Sequence, residues 1–165
     1  MGKTLILMRH AKSSWSHQVD DHDRPLNERG LRDAPRMADR LQSVGAVPDL
    51  VLTSTALRAR VTAELVCEAM PEEKEPASRA DLYLPRTEDI VEAVACIDVD
   101  ASCVMVVAHN PGITEAVFSL TRSEERMPTA AAAIIDLDIN CWSDLLLDAS
   151  GSLRCVCRPK DKADT

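Results

Sequence analysis

The stretch from Ser102 to Ala108 constrains the fold of this chain more than any other. Its residues (Ser-Cys-Val-Met-Val-Val-Ala) are apolar almost without interruption. A strand of that composition has both faces buried, as a central strand does in a parallel sheet covered by helices. The sequence therefore predicts an α/β domain with three layers, α/β/α, around a mainly parallel sheet.

Other short apolar runs alternate with helical patterns along the chain. Strands are predicted over residues 3–8, 49–53, 80–84, 129–138 and 152–158, and helices between residues 27 and 45, over 56–70 and 88–97, and from 113. Asn27 is predicted to cap the first helix, and Pro35 to lie in an early turn or at a kink, because proline cannot donate a helix hydrogen bond. The apolar faces are predicted to contain Leu31, Ala34, Met37, Ala38 and Leu41 in the first helix and Leu57, Val61, Leu65 and Val66 in the second.

The distribution of charge restricts the partners that the chain can bind. Its net charge of −8 argues against a general nucleic-acid binder, because such proteins usually carry a basic face. Residues 1–36 nevertheless hold seven Lys or Arg against five Asp or Glu. A locally positive segment in an acidic protein fits a small anionic ligand, although chance fluctuation gives the same pattern.

The six cysteines lie mostly in apolar segments and form no C-x-x-C pair, which favours reduced thiols. We find no signal peptide pattern and no apolar run near the roughly 18 residues of a membrane helix. We therefore expect a cytoplasmic monomer that contacts neither membrane nor nucleic acid.

Histidine and arginine side chains follow three of the predicted strands. Arg9 and His10 come directly after the first strand, and His109 follows the long apolar strand. Arg58 begins the helix after the 49–53 strand, near the hydroxyl of Ser54. Carboxyl ends of parallel strands share one edge of the sheet, where ligands bind in open α/β folds. Two guanidiniums and two imidazoles there suit a tetrahedral dianion such as a phosphoryl group.

The segment Asp20-Asp21-His22-Asp23 is the densest group of acidic and imidazole side chains in the chain. Consecutive side chains rarely converge on one ion, so we interpret the segment as a solvated loop and expect no metal site. The sequence also contains no glycine-rich phosphate loop.

Four motifs together resemble the histidine phosphatase superfamily, and in particular its small SixA-type phosphohistidine phosphatases. They are Leu7-Met8-Arg9-His10-Ala11, Arg24-Pro25-Leu26-Asn27-Glu28-Arg29-Gly30, Ser54-Thr55-Ala56-Leu57-Arg58-Ala59 and Ala108-His109-Asn110-Pro111-Gly112. They occur in the family's order and cover most of residues 3–121. The resemblance implies a phosphoglycerate mutase-like fold with one antiparallel strand. It also implies a single domain over residues 1–165 with no cap inserted over the pocket.

The resemblance further implies the chemistry. His10 would attack phosphorus and form a phosphohistidine intermediate that water then hydrolyses, with no cofactor. Arg9, Arg58 and His109 would hold the phosphoryl oxygens. The residues expected to contact substrate are Ser16, Arg24 and Asn110. The residues that match no functional position, and are interpreted as loop residues, are His17 and His22.

The chain departs from the family pattern in three places. Ala11 replaces the usual glycine after Arg-His, which requires a negative φ there. Ser54-Thr55 replaces a Ser-Pro pair. Many members also carry a carboxylic acid that protonates the leaving group, but here only Asp81 and Glu88 are candidates, and a surface position is expected for both.

The missing acid bears on the substrate, because imidazole leaves more readily than an alkoxide. We therefore expect a phosphatase that acts on phosphohistidine in a signalling or phosphotransfer protein. The alternatives are a phosphatase of a small phosphoester, such as a sugar phosphate, and a catalytically silent phosphate-binding module.

Overall fold

The computed structural model describes residues 2–147 and 150–160. Its strands are β1 (Lys3–Arg9), β2 (Leu50–Ser54), β3 (Ala77–Arg79), β4 (Cys103–Ala108), β5 (Ala132–Leu137) and β6 (Gly151–Cys157). Its α-helices are α1 (Glu28–Ser43), α2 (Leu57–Glu68), α3 (Thr87–Ala95) and α4 (Gly112–Thr121), and 3-10 helices cover Asp21–Asp23, Ala80–Leu82 and Trp142–Leu147. Within the described ranges, no helix combines the length and the apolar character needed to cross a lipid bilayer.

The six strands form one sheet in the order β3-β2-β4-β1-β5-β6. β1 and β2 both pair in parallel with β4, and β3 pairs in parallel with β2. β5 pairs antiparallel with β1 and with β6, so among the described strands it alone runs against the others. All six residues of β4 are buried, which confirms the predicted central strand.

Alternate residues of β1 face the two sides of the sheet, as a pleated strand requires. Ile6 and Met8 pack with buried residues of α1 and α2, whereas Leu5 and Leu7 pack with α3 and α4. Burying each such side chain contributes roughly 1.5–3 kcal/mol. Two hydrophobic cores therefore separate three layers, which confirms the predicted α/β/α architecture. The same packing holds the carboxyl ends of β1 and β4 in place relative to the helices.

The first helix confirms its predicted cap, and its proline does not lie in the early turn that was one of the two predicted places. Asn27 Oδ1 accepts a hydrogen bond from the Gly30 N–H at 2.9 Å. Pro35 lies in the interior of α1 and not in its first turn. The carbonyl that loses its partner there belongs to Leu31, which was predicted to be buried but is 49% exposed, so water can reach it.

The second helix buries a different face from the one predicted. Of its four predicted residues only Val66 is buried; Leu57, Val61 and Leu65 are half-buried. The buried residues are Arg58, Ala59, Thr62, Ala63, Val66 and Cys67. Small side chains on this face allow α2 to approach its neighbours closely. Because this face is buried in place of the predicted one, the Arg58 side chain points inward.

The predicted strand over residues 80–84 is wrong. β3 ends at Arg79 and the next three residues form a 3-10 helix. Leu84 has a φ of 46°, which lies in the left-handed region and is incompatible with an extended strand. The backbone therefore turns sharply here, beside the pocket described below.

Candidate active site

The carboxyl ends of β1 and β4 bring two histidines together. Arg9, the last residue of β1, is in register with Ala108, the last residue of β4. The N–H of His10 donates to the Ala108 carbonyl at 3.0 Å. The ring centroids of His10 and His109 are 5.2 Å apart. Parallel pairing of two central strands therefore places side by side two imidazoles that are distant in sequence.

A pocket of about 190 Å³ lies at these strand ends. It is lined by Arg9, His10, Lys12, Ser13, Trp15, Asp21, Arg24, Arg58, Leu84, His109, Asn110 and Thr129. A larger hollow of about 560 Å³ also includes Thr129, but no histidine lines it. Of the two, only the smaller pocket holds imidazoles, and together with Arg9, Arg24 and Arg58 they give it a surface that suits an anion.

His10 is held with one nitrogen ready to react. Its Nδ1 lies 2.7 Å from the Ala11 carbonyl, which can only accept, so Nδ1 carries the hydrogen and Nε2 keeps a lone pair. Burial, with a contribution from the positive charge of Arg58, lowers the pKa of His10 to about 4. The imidazole is therefore neutral near pH 7, as a nucleophile must be.

The turn after His10 is anchored to the start of α2. The Ala11 N–H donates to Thr62 Oγ1 at 3.0 Å, and that hydroxyl donates to the Arg58 carbonyl at 2.6 Å. Ala11 is buried and its φ is not positive, so alanine meets the condition that this position imposes. The chain of bonds ties the imidazole of His10 to the helix that carries Arg58.

His109 is bonded to the end of β2. Its Nε2 lies 2.7 Å from Ser54 Oγ, which also accepts from the Ala56 N–H at 3.1 Å. Burial and the neighbouring His10 lower the pKa of His109 to about 3, so it too is neutral near pH 7. Its buried Nδ1 has no hydrogen-bond partner among the described residues.

Three guanidinium groups surround the imidazoles. Arg58 is only 3% exposed, and Nη1 of Arg9 donates to the Met127 carbonyl at 3.2 Å. The Nε atoms of Arg9, Arg24 and Arg58 are buried without a hydrogen-bond partner in the part of the chain that the structure describes. An unpaired buried donor costs about 1–3 kcal/mol. An oxyanion in the pocket would supply acceptors for such donors.

Arg24 borders the pocket from the loop between β1 and α1. Its Nη2 donates to the Ser13 hydroxyl, and its Cζ lies 3.3 Å from the centroid of the exposed Trp15 ring. Burial and the nearby positive charge of Arg58 lower the pKa of Arg24. Arginine remains a cation nonetheless. The structure thus brings Arg24 to the site, as the sequence predicted.

Asp21 also lines the pocket, although it is not among the predicted site residues. Arg58 donates through Nη1 to the Asp21 carbonyl at 2.6 Å and through Nη2 to its Oδ2 at 3.0 Å. The Tyr83 hydroxyl donates to the same Oδ2 at 2.6 Å, and this bond, together with Arg58, lowers the pKa of the carboxyl. The signal available in the sequence was spacing, since Asp21 stands three residues before Arg24, which is one turn of a 3-10 helix. In the structure, Asp21 Oδ1 lies 3.6 Å from Arg24 Nε.

Two further predicted substrate contacts behave differently. Ser16 lies outside the pocket, because the exposed loop turns away after Trp15 and the Ser16 hydroxyl bonds to that of Ser14 at 2.8 Å. Asn110 lines the pocket, but its amide holds the scaffold. It donates to the Met127 carbonyl and accepts from both the N–H and the hydroxyl of Thr114.

The candidate acids lie away from the pocket. Asp81 pairs with Arg79 at 2.7 Å on the surface, and Glu88 lines a separate hollow beside α3. Of the loop histidines, His17 is exposed, whereas His22 bonds to the Thr55 hydroxyl at 2.8 Å. The described residues contain no cluster of three or more His, Cys, Asp or Glu suited to a metal ion.

Fold and pocket together define a class: α/β enzymes that handle phosphoryl groups with histidine and arginine side chains. The model of the histidine phosphatase superfamily (branch 1) matches residues 5–82. The chain is 30% identical to a protein of Nakamurella multipartitia described as a candidate phosphohistidine phosphatase SixA, with 98% of each chain covered and a TM-score of 0.80. This chain belongs to the histidine phosphatase superfamily, and its fold is of the SixA type.

Further relatives agree with this assignment. A protein of Agrobacterium tumefaciens, also described as a candidate SixA, is 26% identical with a TM-score of 0.80, and the match covers 96% of this chain and 99% of its own. An uncharacterized chloroplastic protein of Arabidopsis thaliana is 31% identical over 87% of this chain and 71% of its own. A phosphoglycerate mutase of Streptomyces avermitilis is 37% identical, but over only 46% of this chain and 31% of its own. The family and the SixA-type neighbours together support phosphatase activity.

Proposed function

We propose that this protein is a phosphohistidine phosphatase that removes the phosphoryl group from a histidine of another protein, through a covalent intermediate on His10. The observation that carries the proposal is the state of His10. Its Nδ1 is committed to the Ala11 carbonyl and its low pKa of about 4 keeps the ring neutral, so Nε2 is a nucleophile at neutral pH.

The reaction takes two displacements at phosphorus. In the first, His10 Nε2 bonds to phosphorus while the bond to the substrate nitrogen breaks; that nitrogen keeps the electron pair and takes up a proton from solvent. In the second, water attacks phosphorus while the bond from phosphorus to His10 Nε2 breaks, and the attacking water gives up a proton to solvent. The products are inorganic phosphate and free His10. Arg9 and Arg58 stabilise the charge on the phosphoryl oxygens. With the Ser54 hydroxyl donating to Nε2 of His109, Nδ1 carries a proton that it can donate to one of them.

The shortage of acid at the pocket supports phosphohistidine as substrate. Asp21 is the only carboxylate among the residues that line it, and its lowered pKa keeps it ionised. An imidazole leaves with less acid assistance than an alkoxide does. Trp15 and Leu84 border the pocket and are 76% and 57% exposed, so the mouth is open to a side chain on a protein surface. The relatives from Nakamurella and Agrobacterium are described as candidates for this activity.

A second candidate is a phosphatase of a small phosphoester. Asp21 favours it, because a carboxyl group beside the phosphoryl site is what an alkoxide leaving group requires. This candidate needs Asp21 to be protonated when substrate is bound.

A comparison of substrates tests the proposal. We expect a kcat/KM for a phosphohistidine-bearing domain about 100-fold or more above that for any sugar phosphate in a panel. We expect His10→Ala to reduce kcat by about 1,000-fold or more, the scale on which loss of a nucleophile acts. His17→Ala is the matched control, since His17 is exposed and contacts Ser14, and it should keep full activity.

Two outcomes would overturn these assignments. Efficient sugar-phosphate hydrolysis without phosphohistidine activity would establish the second candidate instead. Undiminished turnover by His10→Ala would remove His10 as the nucleophile.

We also propose the cytoplasm as the compartment. The thiols of Cys67, Cys96, Cys103, Cys141 and Cys155 form no disulfide bonds, which is typical of proteins in a reducing compartment. The partner is then a phosphorylated protein of the same compartment.

A further inference from the structure

We propose that the Asp21 carboxylate is a built-in competitor of the phosphoryl group for Arg58. In the free enzyme it neutralises Arg58, and it is exchanged for phosphoryl oxygens when substrate binds. Asp21 thereby sets the affinity of the pocket for phosphoryl groups. The inference rests on the proposed function only in that the pocket receives a phosphoryl group.

The bonds of Arg58 imitate those of an oxyanion complex. Its two terminal nitrogens each donate to an oxygen of Asp21, the backbone carbonyl at 2.6 Å and Oδ2 at 3.0 Å. Guanidinium groups bind phosphate oxygens through the same terminal N–H groups, and here one of the two bonds goes to the carboxylate and the other to the backbone. The carboxylate therefore engages the group that a phosphoryl dianion needs.

The two partners differ in how easily they can leave the contact. The Arg58 side chain is 4% exposed, whereas that of Asp21 is 42% exposed. The carboxylate can turn into water and recover its hydration, while the guanidinium stays buried among the strand ends. A phosphoryl dianion also carries more charge than a carboxylate, so Coulomb attraction favours the exchange.

Tyr83 stabilises the state in which Asp21 faces inward. Its hydroxyl donates to Oδ2 at 2.6 Å, and its ring lies edge-on to His109, with centroids 5.6 Å apart. Arg24 Nε, 3.6 Å from Oδ1, adds a second cation. Removing the Tyr83 hydroxyl should weaken the contact of Asp21 with Arg58. It changes no residue that lines the pocket, because Tyr83 itself does not line it.

The test is tungstate binding to the whole protein, measured by isothermal titration calorimetry with Asp21→Asn. Asparagine keeps the side-chain size and the backbone bond to Arg58 but removes the charge. We expect the dissociation constant to fall about threefold to tenfold, the scale of a partly exposed ion pair. If Asp21 instead orients Arg58 for its ligand, the same change weakens binding. A weaker or unchanged affinity overturns the proposal.

Two further variants make the result specific. Asp20→Asn removes a charge from the same loop, where the Asp20 side chain makes no capping bond, and should leave the affinity unchanged. An equal gain in Asp20→Asn would assign the effect to overall charge and overturn the proposal. Tyr83→Phe should tighten binding about twofold and decides the matter if Asp21→Asn does not fold; weaker binding there contradicts the exchange. The titration uses no phosphorylated substrate, so failure of the exchange and failure of the proposed activity are distinguishable.

Discussion

The pocket is built from two sets of residues that are held in place differently. The strand-end set (His10, Ser54 and His109) is buried, and its side chains bond to neutral groups. The loop set (Trp15, Asp21 and Arg24) is held by ion pairs and stacking between β1 and α1, and Trp15 and Asp21 are exposed. Preorganised groups of the first kind are what transition-state stabilisation requires, because they do not reorganise during reaction. Contacts of the second kind are those that a ligand can replace.

Arg58 joins the two sets, and its removal gives the largest expected loss after that of the nucleophile His10. Arg58→Ala should lower kcat/KM for a phosphohistidine-bearing domain by about 100-fold to 1,000-fold, since it removes a donor aimed at developing charge. Arg60→Ala is the matched control on the same helix. Arg60 donates to the Thr55 carbonyl and does not line the pocket, so its loss should change activity less than about twofold. A loss below tenfold in Arg58→Ala would show that Arg58 serves mainly to hold the loop.

The titration of His10 tests the strand-end set directly. Its pKa of about 4 means that the imidazole stays neutral above that pH and becomes protonated as the pH falls through 4. NMR of the labelled ring should show a midpoint near pH 4, and Arg58→Ala should raise it only in part, because burial is the main cause. A midpoint near the ordinary value of about 6.5 would contradict the buried geometry.

The same shift predicts how stability depends on pH. His10 takes up its proton near pH 6.5 in the unfolded chain but only near pH 4 in the folded chain. Between these two pH values the unfolded state therefore binds more protons than the folded state. The free energy of unfolding in urea should therefore fall as the pH is lowered from about 6.5 towards 4.

Ser54→Ala tests whether the strand-end set depends on its internal hydrogen bonds. The hydroxyl bonds to Nε2 of His109, and its loss removes the hydrogen-bond partner that orients that ring. We expect kcat to fall about tenfold with little change in KM. Thr55→Val is the control, because the Thr55 hydroxyl bonds to His22 of the loop, and it should cost less than about twofold. Equal losses in the two variants would erase the distinction between the sets.

Trp15→Ala should have the smallest effect. The ring stacks on Arg24 at an exposed position, where a cation–π contact contributes about 0.5–1 kcal/mol. KM for a phosphohistidine-bearing domain should rise about twofold to fivefold with kcat nearly unchanged. Val19→Ala, at an exposed loop position outside the pocket, should leave both constants as they are. A fall in kcat instead would mean that Trp15 supports the chemistry itself.

Sequence patterns predicted the strand-end set well and the loop set poorly. The apolar runs that end at Met8 and Ala108 predicted the strands, and these place His10 and His109 at one edge. Hydrophobic spacing misjudged α2, because Arg58 is buried where the pattern placed a surface. Hydrophobic spacing cannot predict that Arg58 is buried, since the burial of a guanidinium depends on partners that come from other segments of the chain.

The loop shows the opposite limit. An acidic run is ordinarily a solvated segment, and only its contacts with Arg58 and Tyr83 separate Asp21 from its neighbours. Ser16 was expected at the substrate, yet the path of the loop brings the Ser13 hydroxyl to Arg24 instead. Ser13 and Ser16 are three positions apart in an irregular segment, and composition cannot indicate which of the two serines reaches the pocket.

By itself, the sequence determined the order of strands and helices along the chain and the central position of β4. It also determined that His10 and His109 follow directly after strands. Apolar periodicity carries this information because it reflects which surfaces must leave water. Tertiary structure decided which face of α2 is buried, where the loop after β1 lies, and that Asp21 meets Arg58. Contacts between charged groups at a surface contribute only about 0–1 kcal/mol each. They therefore impose little pattern on the sequence, and it is the packing of the two cores that brings their partners within reach.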